Sequence, residues 1–308
     1  MNSAFWWSDW SLENGRVAVK STGHHLPLGG SLVFVCLRWL LFFACIQIWR
    51  LRTIGKPGIR VAFYPNSPRP WYFVWACLRL RGARFTKAAE EADLVCFFED
   101  QTTASWQKKI EAQATLNQEC RDVSKSRVGD IFERVFGYSI AVDPISHAGD
   151  LVEKSEKNGA HDGRVVAGPC KRRFGFAYQR LVDNRFAGDL VRDYRCLVVG
   201  PQIPVVFVKE RKLETRFSNQ NSSVTTAAPE TLFSASETER LVVFAREIGL
   251  EWGAIDVLRD RKNGRLYIVD VNKTNIDPPS ALGLFEKLGV TSRVADALDQ
   301  FLVLKLQG

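Results

Sequence analysis

A chain of 308 residues with 46% hydrophobic and 25% charged residues has the composition of a globular protein of about two domains, long enough to bury a core without disulfide or metal staples. Its formal net charge of +8 suits anionic partners such as nucleotides or acidic lipids, but the basic residues are scattered and form no long Lys/Arg run, which excludes a nucleic-acid footprint. The seven cysteines are odd in number, widely spaced and without a C-x-x-C, and the four histidines lack zinc spacing; this argues against a disulfide scaffold and a structural zinc, and for free thiols in a reducing compartment.

Residues 1–30 have no clean period and are expected to form an irregular arm. An apolar run follows from Ser31 to Trp49, close to the ~20 residues that cross a bilayer, with Arg50, Arg52, Lys56 and Arg60 behind it. Arg38 interrupts the run. A central Arg costs about 2.5–3.5 kcal/mol on an insertion scale and each Leu or Phe returns about 0.3–0.6, so the balance is near zero. Residues 31–52 are therefore a candidate membrane contact, spanning or lying in the interface, with a buried core helix as the rival. The run starts too late for a cleaved signal peptide and no A-x-A site follows it. If it inserts, the basic cluster keeps the rest of the chain in the cytoplasm, at the inner face of the membrane.

Residues 57–100 read as an α/β unit: a strand at Arg60–Tyr64 ended by Pro65, a helix at Tyr72–Arg81 with Gly82 behind it, and a strand at Leu94–Phe98. The polar stretch from Trp106 to Glu119 is expected to be helical, as is Asp130–Phe136, which Gly137 stops. From residue 151 short strands follow at Leu151–Lys154, Arg164–Ala167, Phe176–Val182, Asp193–Val199 and Val205–Lys209, the pattern of antiparallel hairpins. A periodic helix is expected at Ser236–Ile248, with Ser236 and Glu239 as its capping box. Strands at Ala254–Arg259 and Leu266–Val271 and a last helix at Ser292–Val303 complete the chain. The division is 1–55 (arm and apolar helix), 56–124 (α/β unit) and 125–308 (a larger α+β domain).

The chemistry concentrates in residues 251–272, EWGAIDVLRDRKNGRLYIVDVN. Lys262-Asn263-Gly264 suits a three-residue hairpin loop with Gly264 left-handed. That register sets Asp256 opposite Asp270, and alternation puts Asn272 on the same face. Like charges directly opposite destabilise a strand pair unless a cation lies between them. Hard oxygen ligands in small number suit Mg2+, which keeps waters and phosphate oxygens. The bland alternative is a pair of carboxylates facing solvent.

The segment from Asp256 through VLRDRKNGRLYIVDVN resembles the closing motif of ATP-grasp enzymes, an acidic residue on one strand and D/E-x-N on the next. Upstream, DYRCLVVG from Asp193, VVFVKERK from Val205 and RFSN from Arg216 resemble the D-x-R, basic-strand and R-x-N series of the glutathione-synthetase and glutamate-ligase type. The series runs in order over roughly residues 150–280, and KSEKNGAHDG and YQRLVDN are similar to signatures of a bacterial branch of ATP-grasp-like proteins.

The resemblance implies an α+β chain. Its ATP-grasp fold of antiparallel sheets with flanking helices would be preceded by a small α/β pre-ATP-grasp unit and the N-terminal hydrophobic helix. It implies ATP and Mg2+ as cofactors, with Asp256, Asp270 and Asn272 on the metal. Lys154 would meet phosphate, His161 and Asp162 would touch phosphate or substrate, Gln179 to Leu181 would line the adenine slot, and Asp183 would hold the ribose. Arg195, Lys209, Arg211 and Arg216 would surround the transferring group, a cationic set that phosphoryl transfer needs for positioning and charge neutralisation. The sequence departs from the pattern in three places: the glycine-rich loop is the polar EKNGAHDG, Asp270 stands where Glu is usual, and Lys273 follows the metal motif. The leading expectation is a ligase joining a small-molecule or peptide carboxylate to an amine through an acyl-phosphate. A phosphotransferase on the same fold, or a membrane-associated nucleotide-binding module without turnover, remain as alternatives.

Overall fold

The computed structural model describes residues 10–13, 15–19, 24–27, 29–55, 57–106, 110, 112–160, 162–218, 221–276 and 278–307. The described part of the arm is not irregular. It holds a three-stranded antiparallel sheet of β1 (Trp10–Glu13), β2 (Arg16–Val19) and β3 (His24–Pro27), in the order β1-β2-β3. Each strand has only four residues, too few to show alternation against the turn residues between them.

The apolar run forms α1 (Gly30–Arg50). The α/β unit that follows has β4 (Arg60–Pro65), α2 (Phe73–Leu80), β5 (Arg84–Phe85), β6 (Leu94–Phe98) and β7 (Ala114–Leu116), in a parallel sheet ordered β5-β4-β6-β7. β6 is buried at every residue, which is why it reads as an unbroken apolar run. The helix expected over 106–119 is absent among the described residues there. Ala114–Leu116 instead pairs with β6. Trp106 is buried against Phe97, and the Asn117 side chain is spent on the backbone of residues 251 and 252. Tertiary partners override a weak helical preference.

The larger unit opens with α3 (Lys125–Phe136), capped by the Ser124 hydroxyl and closed by left-handed Gly137. β8 (Gly149–Ser155), β9 (Arg164–Gly168) and β10 (Phe176–Arg180) form a small antiparallel sheet ordered β10-β8-β9. β11 (Arg185–Ala187), β12 (Leu190–Val199), β13 (Val206–Lys212), β14 (Ser223–Ala227), β15 (Trp252–Arg259) and β16 (Leu266–Asn272) form the large one, ordered β14-β13-β12-β15-β16 with β11 on β12. α4 (Ala235–Glu247) precedes β15, and α5 (Leu284–Gln307) ends the chain. The capping box of α4 is Ser234 with Glu237, two residues before the expected pair. α5 starts eight residues earlier than its expected start at Ser292 and packs on α2 and α1.

The two faces of the large sheet differ. One face carries Cys196, Val198, Val206, Ile255 and Val257, in a core with Phe132 of α3 and Leu241 and Phe244 of α4. The other carries Leu197, Val199, Phe207, Trp252 and Ala254, in a core shared with α2, α5 and β6. Two residues further along the strands this second face turns from apolar to charged, and the candidate site begins there.

Candidate nucleotide site

Strand register assembles the site. Arg195 stands opposite Asp256, Asp256 opposite Asp270, and Asp193 opposite Lys209. Residues two apart share a face, so Asp193, Arg195, Lys209, Arg211, Asp256, Asp270 and Asn272 share one. The Asp256–Asp270 register is the expected one but arises differently. The hairpin closes at Asp260 and Arg265, where Asp260 accepts the Gly264 N–H and donates its own to Arg265, so the loop has four residues and not three. A bulge between Asp256 and Val257 then leaves Val269 unopposed and restores the pairing. The bulge also has a use: the Val269 carbonyl accepts a hydrogen bond from Lys154 Nζ at 3.0 Å.

Ion pairs fix the charged face. Arg195 grips Asp256 with two hydrogen bonds of 2.8 and 3.0 Å. Arg211 pairs with Asp193 at 2.9 Å and also donates to the carbonyls of Arg216 and Ser218. Arg216 donates to the Val182 carbonyl and to Asn184 Oδ1, and Asn184 donates to Asp193, so Arg216 joins the network through the 182–184 segment. Burial pushes Asp256 toward protonation, but Arg195 and Lys209 outweigh it and hold its pKa below the usual value. For Asp193 the order is reversed: burial wins over Arg211, helped by repulsion from Asp256, and the pKa rises.

The small sheet supplies the opposite wall. Lys154 pairs across with Ala177 and Val152 with Gln179, so Lys154 and Gln179 share a face. Burial lowers the Lys154 pKa to about 8, with Lys125 adding repulsion and Asp270 and Asp256 opposing. The Gln179 Nε2 is buried with no hydrogen-bond partner among the described residues. Leu181 follows β10 half-buried.

Other residues marked in the sequence fall elsewhere. Asp162 is exposed and accepts the Ser155 N–H at 3.2 Å, closing the β8–β9 loop on itself, so its carboxylate braces a turn. His161 lies outside the described residues. The Asp183 carboxylate is held by Arg185 in two 2.7 Å hydrogen bonds, which bring its pKa down to about 2. Lys273 turns away from the metal-type residues and lies over the Trp106 ring at 5.2 Å, with burial lowering its pKa.

Sequence reasoning missed Lys125. Its ammonium lies 2.6 Å from Asp270 Oδ1 and is almost fully buried. It occupies the first turn of α3, where the helix dipole disfavours a cation. Asp270 supplies the compensating charge. The expected start of this helix at Asp130 left Lys125 unassigned; Ser124 as N-cap was the available signal.

The donor chemistry fits Mg2+. Among the described residues no three His, Cys, Asp or Glu side chains cluster as a metal cage. Two facing carboxylates and one amide oxygen are what remains, a set that Mg2+ completes with water and phosphate oxygens. The same oxygens are engaged by protein groups here: Asp256 by Arg195, Asp270 Oδ1 by Lys125, and Asn272 Oδ1 by the Thr274 N–H at 2.8 Å.

No protein-family model matches this sequence, and no curated protein does. Similar solved structures do exist. One is the ATP-grasp ligase PsnB complexed with a phosphomimetic variant of its minimal precursor, Mg and ADP, with TM-score 0.50 and 13% identity over 79% of this chain and 98% of that one. Another is D-alanine–D-alanine ligase from Bacillus anthracis complexed with ATP, with TM-score 0.50 and 10% identity over 81% of this chain and 99% of that one. At such identities the likeness is one of fold.

Proposed function

We propose that this chain, whose fold is the ATP-grasp fold, binds ATP between the small and the large antiparallel sheets of its larger unit and uses it to join a carboxylate to an amine. The observation that carries the reading is the excess of cations in one place. Lys125, Lys154, Arg195, Lys209, Arg211 and Arg216 interlock with three carboxylates, Asp193, Asp256 and Asp270, and Asp183, which also acts on Arg216, is itself paired with Arg185. A surplus of positive charge, most of it shielded from water, suits a polyphosphate better than a structural network, which would balance its charges.

In this reading Lys125 and Lys154 neutralise phosphate oxygens, and the backbone from Gln179 to Leu181 holds the base. Arg195, Lys209, Arg211 and Arg216 orient the carboxylate and the transferring phosphoryl group. Asp270, Asn272 and Asp256 would hold Mg2+, which would supply further charge neutralisation at the phosphates. A carboxylate oxygen of the substrate attacks the γ-phosphorus and ADP leaves; the amine then attacks the acyl carbon, loses its proton and expels phosphate. PsnB was solved with a variant of its minimal precursor together with Mg and ADP, which supports a precursor-type carboxylate as substrate.

The test is ATP consumption by the full chain against pools of carboxylates and amines. ADP release that requires both partners supports the ligase. A phosphorylated product without amine would make the protein a phosphotransferase, and binding without turnover a nucleotide-binding module; either result overturns the ligase.

A further inference from the structure

α1 carries an apolar surface that the rest of the described chain leaves bare. One stripe faces the protein: Phe42 and Ile46 are buried, Phe43 stacks on Trp75 of α2 at 5.5 Å, and Trp39 meets Trp71 edge-on at 6.3 Å. The opposite stripe, Val33, Phe34, Leu37, Leu41, Ile48 and Leu51, is 54–61% exposed. These positions recur at helical spacing and form one face. Only 11% of the Leu32–Thr53 span is buried. A bare apolar face of this extent on a soluble surface marks an interaction site.

The charges say what covers it. Arg38, which interrupts the apolar run, is turned toward the protein: its Nη2 donates to the Leu282 carbonyl at 2.6 Å. No residue of the bare stripe is itself charged, and the Arg38 guanidinium borders it at one end, over the Phe34 ring at 5.5 Å. At its far end Arg50 and Arg52 are exposed, and Arg52 lies over the Trp49 ring at 5.6 Å. α1 contains no Asp or Glu. A second copy of the same face would offer these arginines no counter-charge, whereas acidic lipid headgroups would.

We infer that α1 docks the protein on an anionic lipid bilayer, lying in the plane of the interface with its bare stripe among the acyl chains and Arg50 and Arg52 at the headgroups. Length alone allows spanning, since 21 residues at ~1.5 Å each match a hydrocarbon core of ~30 Å. Packing decides against it. Phe42 and Ile46 belong to the same core as α2, α5 and β6, and a spanning helix would have to leave that core open. A helix bound along one face and bare along the other has the geometry of an in-plane anchor.

The test is flotation of the full chain with vesicles of phosphatidylcholine alone or mixed with phosphatidylglycerol. The protein floats with the mixed vesicles, less at high salt, and is released by alkaline carbonate. Leu37→Glu with Leu41→Glu lowers the partition coefficient by about a hundredfold, while Leu12→Glu, at an exposed apolar residue outside α1, leaves it unchanged. Should the double variant fail to fold, Arg50→Glu with Arg52→Glu weakens binding to the mixed vesicles without touching the core. Retention after carbonate would replace the in-plane geometry with a spanning one. A chain that stays in solution with both vesicles, or forms a dimer that Leu37→Glu with Leu41→Glu dissociates, would overturn the docking.

Discussion

Arg195 and Asp256 define the site at the scale of single residues. Their side chains are 17% and 25% exposed, between the surface limit, where a pair contributes little, and the buried limit, where breaking it costs several kcal/mol. Arg195→Met is expected to destabilise the fold by about 2 kcal/mol at pH 7, because Asp256 keeps its burial and loses its main partner. The folded pKa of Asp256 lies below its ordinary value, so the stability it contributes is present above the unfolded pKa of about 4 and is lost as the pH falls through the folded one. Denaturant titrations of parent and variant should therefore diverge at pH 7 and converge below about pH 4; a gap independent of pH would sink the assignment. Lys154 makes a second residue-scale case. Its pKa of about 8 means that most of its charge is gone by pH 9. Calorimetry should find ATP affinity falling by up to about tenfold per pH unit above that value, since phosphate binds only the protonated form. Lys154→Met should bind more weakly at pH 7 and lose that slope. An unchanged slope in the variant would place the titrating group elsewhere.

Among the elements, α4 offers a clean comparison. The Ser234 hydroxyl accepts the Glu237 N–H and the Glu237 carboxylate accepts the Ser234 N–H, while Glu237 also pairs with Arg259. Ser234→Ala should cost about 1 kcal/mol and Ser236→Ala less than about 0.5, measured by thermal or denaturant unfolding; the reverse order would restore the box expected from sequence. Ser234 and Ser236 are each followed three residues later by Glu, so the motif fits twice, and only the path of the chain entering the helix selects one. The hairpin at 251–272 was legible because alternation, a left-handed Gly264 and an acidic pair all agreed. Its bulge was not, since an extra residue in a strand leaves no mark in an apolar run such as Leu266–Val269. The antiparallel strands after residue 150 were likewise readable, but their division into two sheets depends on contacts between distant segments. Lys125 stayed hidden because its role comes from Asp270, 145 positions away.

At the scale of the whole molecule, the site has no single owner. It takes Lys125 from α3, Lys154 from the small sheet, and Asp193, Arg195, Lys209, Arg211, Asp256 and Asp270 from four strands of the large one. A ligand held there ties the two sheets together, so its binding energy adds to the stability of the larger unit. At a free concentration of a hundred times Kd, Mg·ATP should stabilise the fold by about 2.7 kcal/mol, which for a chain of 308 residues raises Tm by about 4 °C. The metal should matter because ATP alone sets a triphosphate against Asp256 and Asp270. Asp270, Asn272 and Asp256 would hold Mg2+, whose charge would offset this repulsion, so ATP with a chelator should give the smaller shift. Asp270→Asn keeps the shape of the side chain and removes the charge. It also strips Lys125 of its counter-ion, which leaves a more cationic wall for phosphate. The variant should therefore still be stabilised by ATP, but adding Mg2+ should no longer increase the shift. Thermal unfolding of parent and variant, each with ATP plus chelator and with Mg·ATP, separates these contributions. If the parent responds equally with and without Mg2+, the metal does not bind at Asp270. If neither protein responds to ATP at all, the cationic cleft is not a nucleotide site.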